Sequence, residues 1–238
     1  MNGITAKKAG RVLLYIFLIA ISAAFLAPII IVLYNSFKGK FFISDPFALP
    51  NAETFSGIEN YIGGIEKTGF LAAFGWSLFI TVFSVAAIVL FTSMTAWYIV
   101  RVKNKFTKAL YYIFVFSMIV PFQMVMFTMT KTVADLGLDK PWGLIIVYLG
   151  FGAGLAVFMF TGFVKSIPRS IEEAAVIDGC TPVQTFFQVV LPMMKPTFIS
   201  VGVLEIMWVW NDYLLPYLVL DINEFRTIPI HIQYLKGS

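Results

Sequence analysis

The chain's stock of proton-transferring, nucleophilic and metal-binding side chains is small: one histidine, His231, one cysteine, Cys180, and thirteen carboxylates. A lone cysteine closes no intrachain disulfide and supplies no metal cluster, and a single histidine weighs against histidine-based catalysis. Two carboxylates, Glu205 and Asp212, interrupt a strongly apolar stretch from Thr197 to Leu220. They are seven residues apart, about 10 Å along a helix, so one face carries both. Acids in that setting either line a polar path or bond to neighbouring helices. Gln123, just after Pro121, leaves the same choice between solute contact and an interhelical hydrogen bond at a kink. These scattered groups form no convergent catalytic set, and no G-x-x-x-x-G-K-[ST] phosphate loop is present in the sequence. The chemistry on offer is recognition and passage, so the chain is read as a non-enzyme with no cofactor of its own.

The elements that must position these groups are membrane helices. Of 238 residues, 59% are apolar and only 13% charged, with a mean hydropathy of +0.86. That exceeds what a soluble core of this size can hide. Val12 to Leu33 is 22 residues without a charge, enough to cross about 30 Å of hydrocarbon. Lys7, Lys8 and Arg11 precede it as they would a signal peptide, but the apolar run is too long for one. Further spans are expected at Phe74 to Ala96, Ala109 to Thr130, Pro141 to Val164 and, despite its two acids, Thr197 to Leu220. The fold class is therefore all-α, a polytopic membrane helical bundle with five spans present. The 25 Phe and 10 Met are packing and lipid-facing side chains rather than a cofactor box. Trp76, Trp97, Tyr98 and Trp142 fall near span ends, as interfacial anchors do, and Gly150, Gly152 and Gly154 form a strip suited to close helix packing.

The net charge of +4 is small and informative only by location, not as a nucleic-acid signal. With the N-terminus inside, the inner segments hold ten cations (Lys7, Lys8, Arg11, Arg101, Lys103, Lys105, Lys108, Lys165, Arg169, Lys195) against the acids Glu172, Glu173 and Asp178. The outer segments hold seven cations against eight acids, and the asymmetry selects a cytoplasmic N-terminus. Five spans then leave the end outside, and Lys236-Gly237-Ser238 stops where a sixth helix would begin, so a missing sixth span is expected, with a five-span protein as the alternative. The outer segment Asn35 to Lys67 is rich in Pro and Gly, with a short surface helix expected at Phe55 to Tyr61.

The segment from Lys165 to Pro196, KSIPRSIEEAAVIDGCTPVQTFFQVVLPMMKP, lies on the inner side. Ser170 and Glu173 have capping-box spacing, so a helix is expected from Ile171 toward Ile177, ended by Gly179. Thr181 and Gln184 repeat the spacing with Pro182 at the first helical position, so a second short helix follows, closed by Leu191-Pro192. Ile171, Ala174 and Ala175 give the first helix a small-residue face, and Val183, Phe186, Phe187 and Val190 give the second an apolar stripe. From the residues alone, such a pair either fits a groove on another protein or rests on lipid.

Glu173-Ala174-Ala175, Asp178-Gly179, Leu191-Pro192 and Pro196 resemble the EAA loop of binding-protein-dependent ABC importer permeases. The words around them are similar to the MalG-like carbohydrate branch, as are Ile119 to Gln123, Leu136-Gly137-Leu138, Trp142-Gly143-Leu144 and Trp210-Asn211-Asp212. Cys180 stands where these permeases usually have another small residue. The resemblance implies a single importer transmembrane domain over residues 1–238, with residues 165–196 as its cytoplasmic coupling loop. The implied function is a pore-forming permease subunit of a sugar, oligosaccharide or sugar-derivative importer in a prokaryotic cytoplasmic membrane. It also implies the partners: a second, homologous permease, two ATPase subunits that bind ATP and magnesium, an external or periplasmic solute-binding protein, and lipid. Glu173 would then contact an ATPase subunit or serve its own helix as a capping partner, while Asn211 and Asp212 would line the path or hold helices together. A secondary transporter or channel for a small polar solute would explain only the spans.

Overall fold

In the computed structural model, which describes residues 2–235, every regular element is a helix apart from one isolated β-bridge. Lys236, Gly237 and Ser238, where the sequence reading places a missing span, lie outside the described residues. Two compact units are present, one ending at Gly69 and one starting at Phe70.

The first unit contains α1 (Asn2–Asn35), which includes the expected first span, and α2 (Glu59–Thr68). The surface helix expected at residues 55–61 begins later, at Glu59. Phe55 instead pairs with Lys38 in the β-bridge, and the Ser56 N–H donates to Phe37 O at 2.7 Å, so this stretch is extended and turns into α2 through Gly57 at φ 62°. The Lys38 ammonium is buried and donates to Asp45 O at 3.0 Å.

The second unit comprises α3 (Phe70–Arg101), α4 (Lys105–Ser117), α5 (Phe122–Asp135), α6 (Pro141–Val164), α7 (Arg169–Ile177), α8 (Pro182–Met193), α9 (Lys195–Asn211), α10 (Leu214–Val219) and α11 (Ile228–Leu235). α3 and α6 each bury one face and lie parallel and in register. Ile88 meets Gly152 and, 13 residues on in α3 and 12 in α6, the Arg101 guanidinium meets Val164 O at 3.3 Å. Two parallel neighbours require the chain between them to return across the membrane. α4 and α5 lie between them in sequence, bent by 106° across a short break that ends at Pro121, the cap residue of α5. α4 runs antiparallel to α6, and α5 turns away from α6 after its first residue. Tyr111 lies under Lys165, Ser117 beside Gly154, the Phe122 ring 5.4 Å from Phe151, and Leu138 over Gly143. α9 is also antiparallel to α6, from Phe198 on Phe160 to Asp212 on Tyr148. Among the described residues three helices are individually long and apolar enough to cross, and up to five spans result if each bent pair is one crossing. The bundle is thus polytopic and all-α.

Several local expectations change. The last span ends at Asn211 rather than Leu220, because Asp212 takes extended backbone and its carboxylate receives the Leu214 and Leu215 N–H groups that open α10. α7 begins at Arg169, where Pro168 occupies the cap position with extended backbone. Ser170 falls inside the helix, and the Ser170–Glu173 capping box does not form. Leu191-Pro192 does not close α8. A wide π turn over Thr185–Val190 moves the preceding carbonyls away from the Pro192 ring, and the helix continues to Met193 before bending 78° into α9. The extra residue in that turn breaks the expected apolar stripe, so Phe186 and Val190 are buried while Val183 and Phe187 face outward.

Of the three glycines in the α6 strip, two pack and one does not. A Cβ at Gly154 would sit 2.7 Å from Ser117 Oγ and 2.9 Å from Phe114 O, and one at Gly152 would sit 2.7 Å from Ile88 Cδ1, whereas Gly150 faces open space. Gly154→Ala is therefore expected to lower stability by about 1–3 kcal/mol through overpacking against α4, and Gly150→Ala to leave it unchanged. Thermal unfolding of both variants in mild detergent measures the difference.

Candidate functional site

The loop between α6 and α9 is tied to the bundle by one carboxylate. Glu172 is on the inward face of α7, with its side chain 9% exposed and that of its partner Arg101 15% exposed. Its Oε1 accepts from Arg101 Nε at 2.8 Å and Nη2 at 2.6 Å, and its Oε2 accepts from the Trp97 indole at 3.0 Å. Arg101 Nη2 also donates to Ile167 O at 3.1 Å, which together with Val164 places a cation on the last carbonyls of α6. Charge-assisted bonds in this half-dry setting are stronger than neutral ones, and every oxygen of the carboxylate is used. Three elements, the ends of α3 and α6 and the start of α7, are thereby joined.

Behind Glu172, one turn on, Ala175 is also buried. Phe186 of α8 packs on the Trp97 ring at a centroid distance of 5.5 Å, so the second loop helix rests on the same indole. α7 ends as its sequence suggests. Gly179 takes φ 86°, its N–H donates to Val176 O at 3.0 Å, and the Cys180 N–H donates to Ala175 O at 2.9 Å. α8 starts with the expected reciprocal capping of Thr181 and Gln184 and with Pro182 at its first position.

The opposite face of α7 is bare. Glu173, Ala174, Val176 and Asp178 are exposed, as is Ile177, 85% accessible at the tip. Glu173 makes only an exposed contact with Arg169 at 3.8 Å. Ala174 and Ala175 thus have opposite surroundings, although the sequence reading grouped them on one face. Leu191 is half-buried and Pro192 exposed at the far end of α8.

The groups read as a polar path are dispersed. Glu205 is 2% exposed and faces Gly152 of α6; its Oε2 has no hydrogen-bond partner among the described residues. Asp212 lies near the other end of α9, with Oδ2 accepting from Tyr148 O–H at 3.0 Å. Both acids therefore address α6, as their spacing implies. Asn211 is exposed and donates to Met207 O at 2.7 Å, and Gln123 is exposed on the first turn of α5. His231 is buried on α11, and no group of three or more potential metal ligands occurs among the described residues.

Sequence reasoning named Trp97 only as an interfacial anchor and Arg101 and Glu172 only as inner-side charges, and linked none of them to one another. The signal was there: Trp97 and Arg101 are i and i+4 on the last turn of a long uncharged helix, and Glu172 is i−3 to Ala175. Trp97, expected as a lipid anchor, is instead a hydrogen-bond donor to the loop.

A model of the family described as "Binding-protein-dependent transport system inner membrane component" matches residues 88–236. The chain is 40% identical over 217 residues to the probable starch degradation products transport system permease protein AmyC of Thermoanaerobacterium thermosulfurigenes, covering 91% of this chain and 78% of that one. It is 33% identical over 229 residues to the multiple sugar-binding transport system permease protein MsmG of Streptococcus mutans, covering 94% and 81%. The fold matches a crystal structure of a bacterial ABC transporter involved in the import of the acidic polysaccharide alginate, with a TM-score of 0.78, 22% identity, and coverage of 98% and 80%.

Removing one member of the Glu172 cluster leaves the other charge buried and unpaired. Glu172→Gln is expected to cost on the order of 3 kcal/mol and to speed hydrogen exchange over residues 169–177, whereas Glu173→Gln leaves exchange there unchanged. Exchange mass spectrometry on both variants reads the contrast.

Proposed function

The chain belongs to the family of binding-protein-dependent transport system inner membrane components, and from that premise we propose that it is a permease subunit of an ATP-driven importer whose solute is a sugar, an oligosaccharide or a sugar derivative. The names of its relatives support the solute class, one being for starch degradation products and another for multiple sugars.

The observation that carries the mechanism is the two-sidedness of α7. One face is fixed to the bundle through Glu172, and the other exposes Glu173, Ala174, Val176, Ile177 and Asp178 with no intramolecular cover. A short helix with an apolar tip flanked by acids suits insertion into a groove on a separate ATPase subunit. Residues 165–196 then act as the coupling loop. Glu173 and Asp178 meet cations of that groove, Ala174 permits close approach, and Gly179 aims α8 back at the membrane. Leu191 and Pro192 carry the loop into α9. ATP and magnesium act on the ATPase pair, and closure of that pair pushes α7. Because Glu172 grips Arg101 and Trp97, the push reaches α3 and α6 together.

The gathering of Arg101, Lys103, Lys105, Lys108, Lys165 and Arg169 around one cavity at the foot of α3 and α6 supports a cytoplasmic position for this end. The opposite end receives solute from an external binding protein. A second permease, homologous to this chain, completes the pore. Glu205 and Asp212, both against α6, are the groups assigned to the path, with Gln123 and Asn211 at its margins.

Ala174→Trp is expected to leave the permease folded, since the position faces outward, and to reduce solute uptake at least about tenfold by blocking docking, a loss of roughly 1.4 kcal/mol or more in the docked state. Uptake of radiolabelled maltodextrins and pull-down of the ATPase in native membranes test this. Normal uptake with full ATPase recovery would remove α7 from the coupling role.

A further inference from the structure

A cavity of about 960 Å³ in the second unit opens where α3 and α6 end and α4 begins. Six cations line it: Arg101, Lys103, Lys105, Lys108, Lys165 and Arg169, and no carboxylate does. Arg101 is neutralised by Glu172 and Arg169 lies 3.8 Å from Glu173, both outside the lining. The four lysines have no carboxylate within salt-bridge distance among the described residues. Lys165 Nζ is held over the Tyr111 ring at 5.6 Å, which fixes its position without reducing its charge. All four are exposed, so water and salt screen their mutual repulsion, and an anion among them is attracted by each.

The remaining wall narrows the choice of anion. Ile99 and Val100 of α3, Tyr111 of α4 and Ile167 beyond α6 contribute apolar surface to the same cavity. The cavity sits at the ends of three membrane-crossing segments, the level at which lipid phosphates lie and basic pockets between helices take anionic head groups. A free phosphate would use the lysines and leave the apolar wall wet, whereas a phospholipid uses both.

We propose that this cavity binds the phosphate head group of an anionic phospholipid, with Lys103, Lys105, Lys108 and Lys165 as its ligands. A bound lipid would brace the α3–α4 turn against the α6 end. The inference rests on the membrane crossings described above and not on the solute carried, and its readout is bound lipid rather than uptake, so the two fail separately.

The test is native mass spectrometry of the transporter assembled from the full chain, delipidated in mild detergent and titrated with phosphatidylglycerol, phosphatidylcholine or soluble glycerol 3-phosphate. The expected result is a preference of about tenfold or more for phosphatidylglycerol over phosphatidylcholine, lost in the variant Lys103→Gln/Lys108→Gln/Lys165→Gln and retained when the same three lysines become arginine. Glycerol 3-phosphate is expected neither to bind nor to displace the lipid. Equal retention of both lipids by the unmodified protein overturns the proposal even if the glutamine variant fails to assemble. Undiminished preference in an assembled glutamine variant also overturns it, and displacement by glycerol 3-phosphate would assign the site to a soluble phosphate instead.

Discussion

A carboxylate held out of water must be matched or neutralised, and at the foot of this bundle Glu172 is matched by Arg101 and Trp97. That requirement decides where α7 can lie. Swinging α7 away would strand a guanidinium already committed to two carbonyls at the end of α6, together with an indole donor. The loop is therefore part of the bundle's hydrogen-bonding rather than a tether. Phe186 on the same indole extends the constraint to α8, so a force applied at Ile177 has few soft places in which to dissipate.

The bundle supports this because its central pair is closely packed. α3 and α6 run parallel with matched spacing between Ile88–Gly152 and Arg101–Val164, and α4 and α9 close on α6 where glycine removes the side chain. Parallel neighbours demand a returning stretch of chain, and α4 supplies its first part, following α6 from Lys165 to Gly154 before the chain bends ahead of α5. The words around Gly137 and Gly143 have the same origin. Gly137 ends α5 at φ 65°, and the Leu138 backbone then crosses so close to Gly143 that a Cβ there would fall 2.2 Å from its carbonyl oxygen.

Much of this was legible in the sequence. Uncharged runs gave the spans, and lysine and arginine clustering marked the end where α3, α4 and α6 meet. The Gly179 stop and the Thr181–Gln184 cap followed from local chemistry, which the rest of the fold does not override. The misreadings are cases where it does. Pro168 pre-empted Ser170 as the start of α7, and Pro192 was absorbed by a π turn instead of ending α8. Asp212 was drawn out of the last span by the amides of α10 and by Tyr148. Trp97 and Glu172 are 75 residues apart, and no local pattern links them. Glu205 meets Gly152 of α6, 53 residues before it, and no local pattern announces that contact.

The central claim is that α7 and the foot of α3 move as one body. It is tested most directly by spin labels at the exposed positions Tyr98 and Ile177, with distances measured by pulsed electron resonance in the assembled transporter with and without ATP. One narrow distribution, unchanged by nucleotide while labels across the permease pair shift, is the predicted result. A Tyr98–Ile177 distance that changes with nucleotide would contradict it, because the loop would then be moving independently of the helices it is meant to drive.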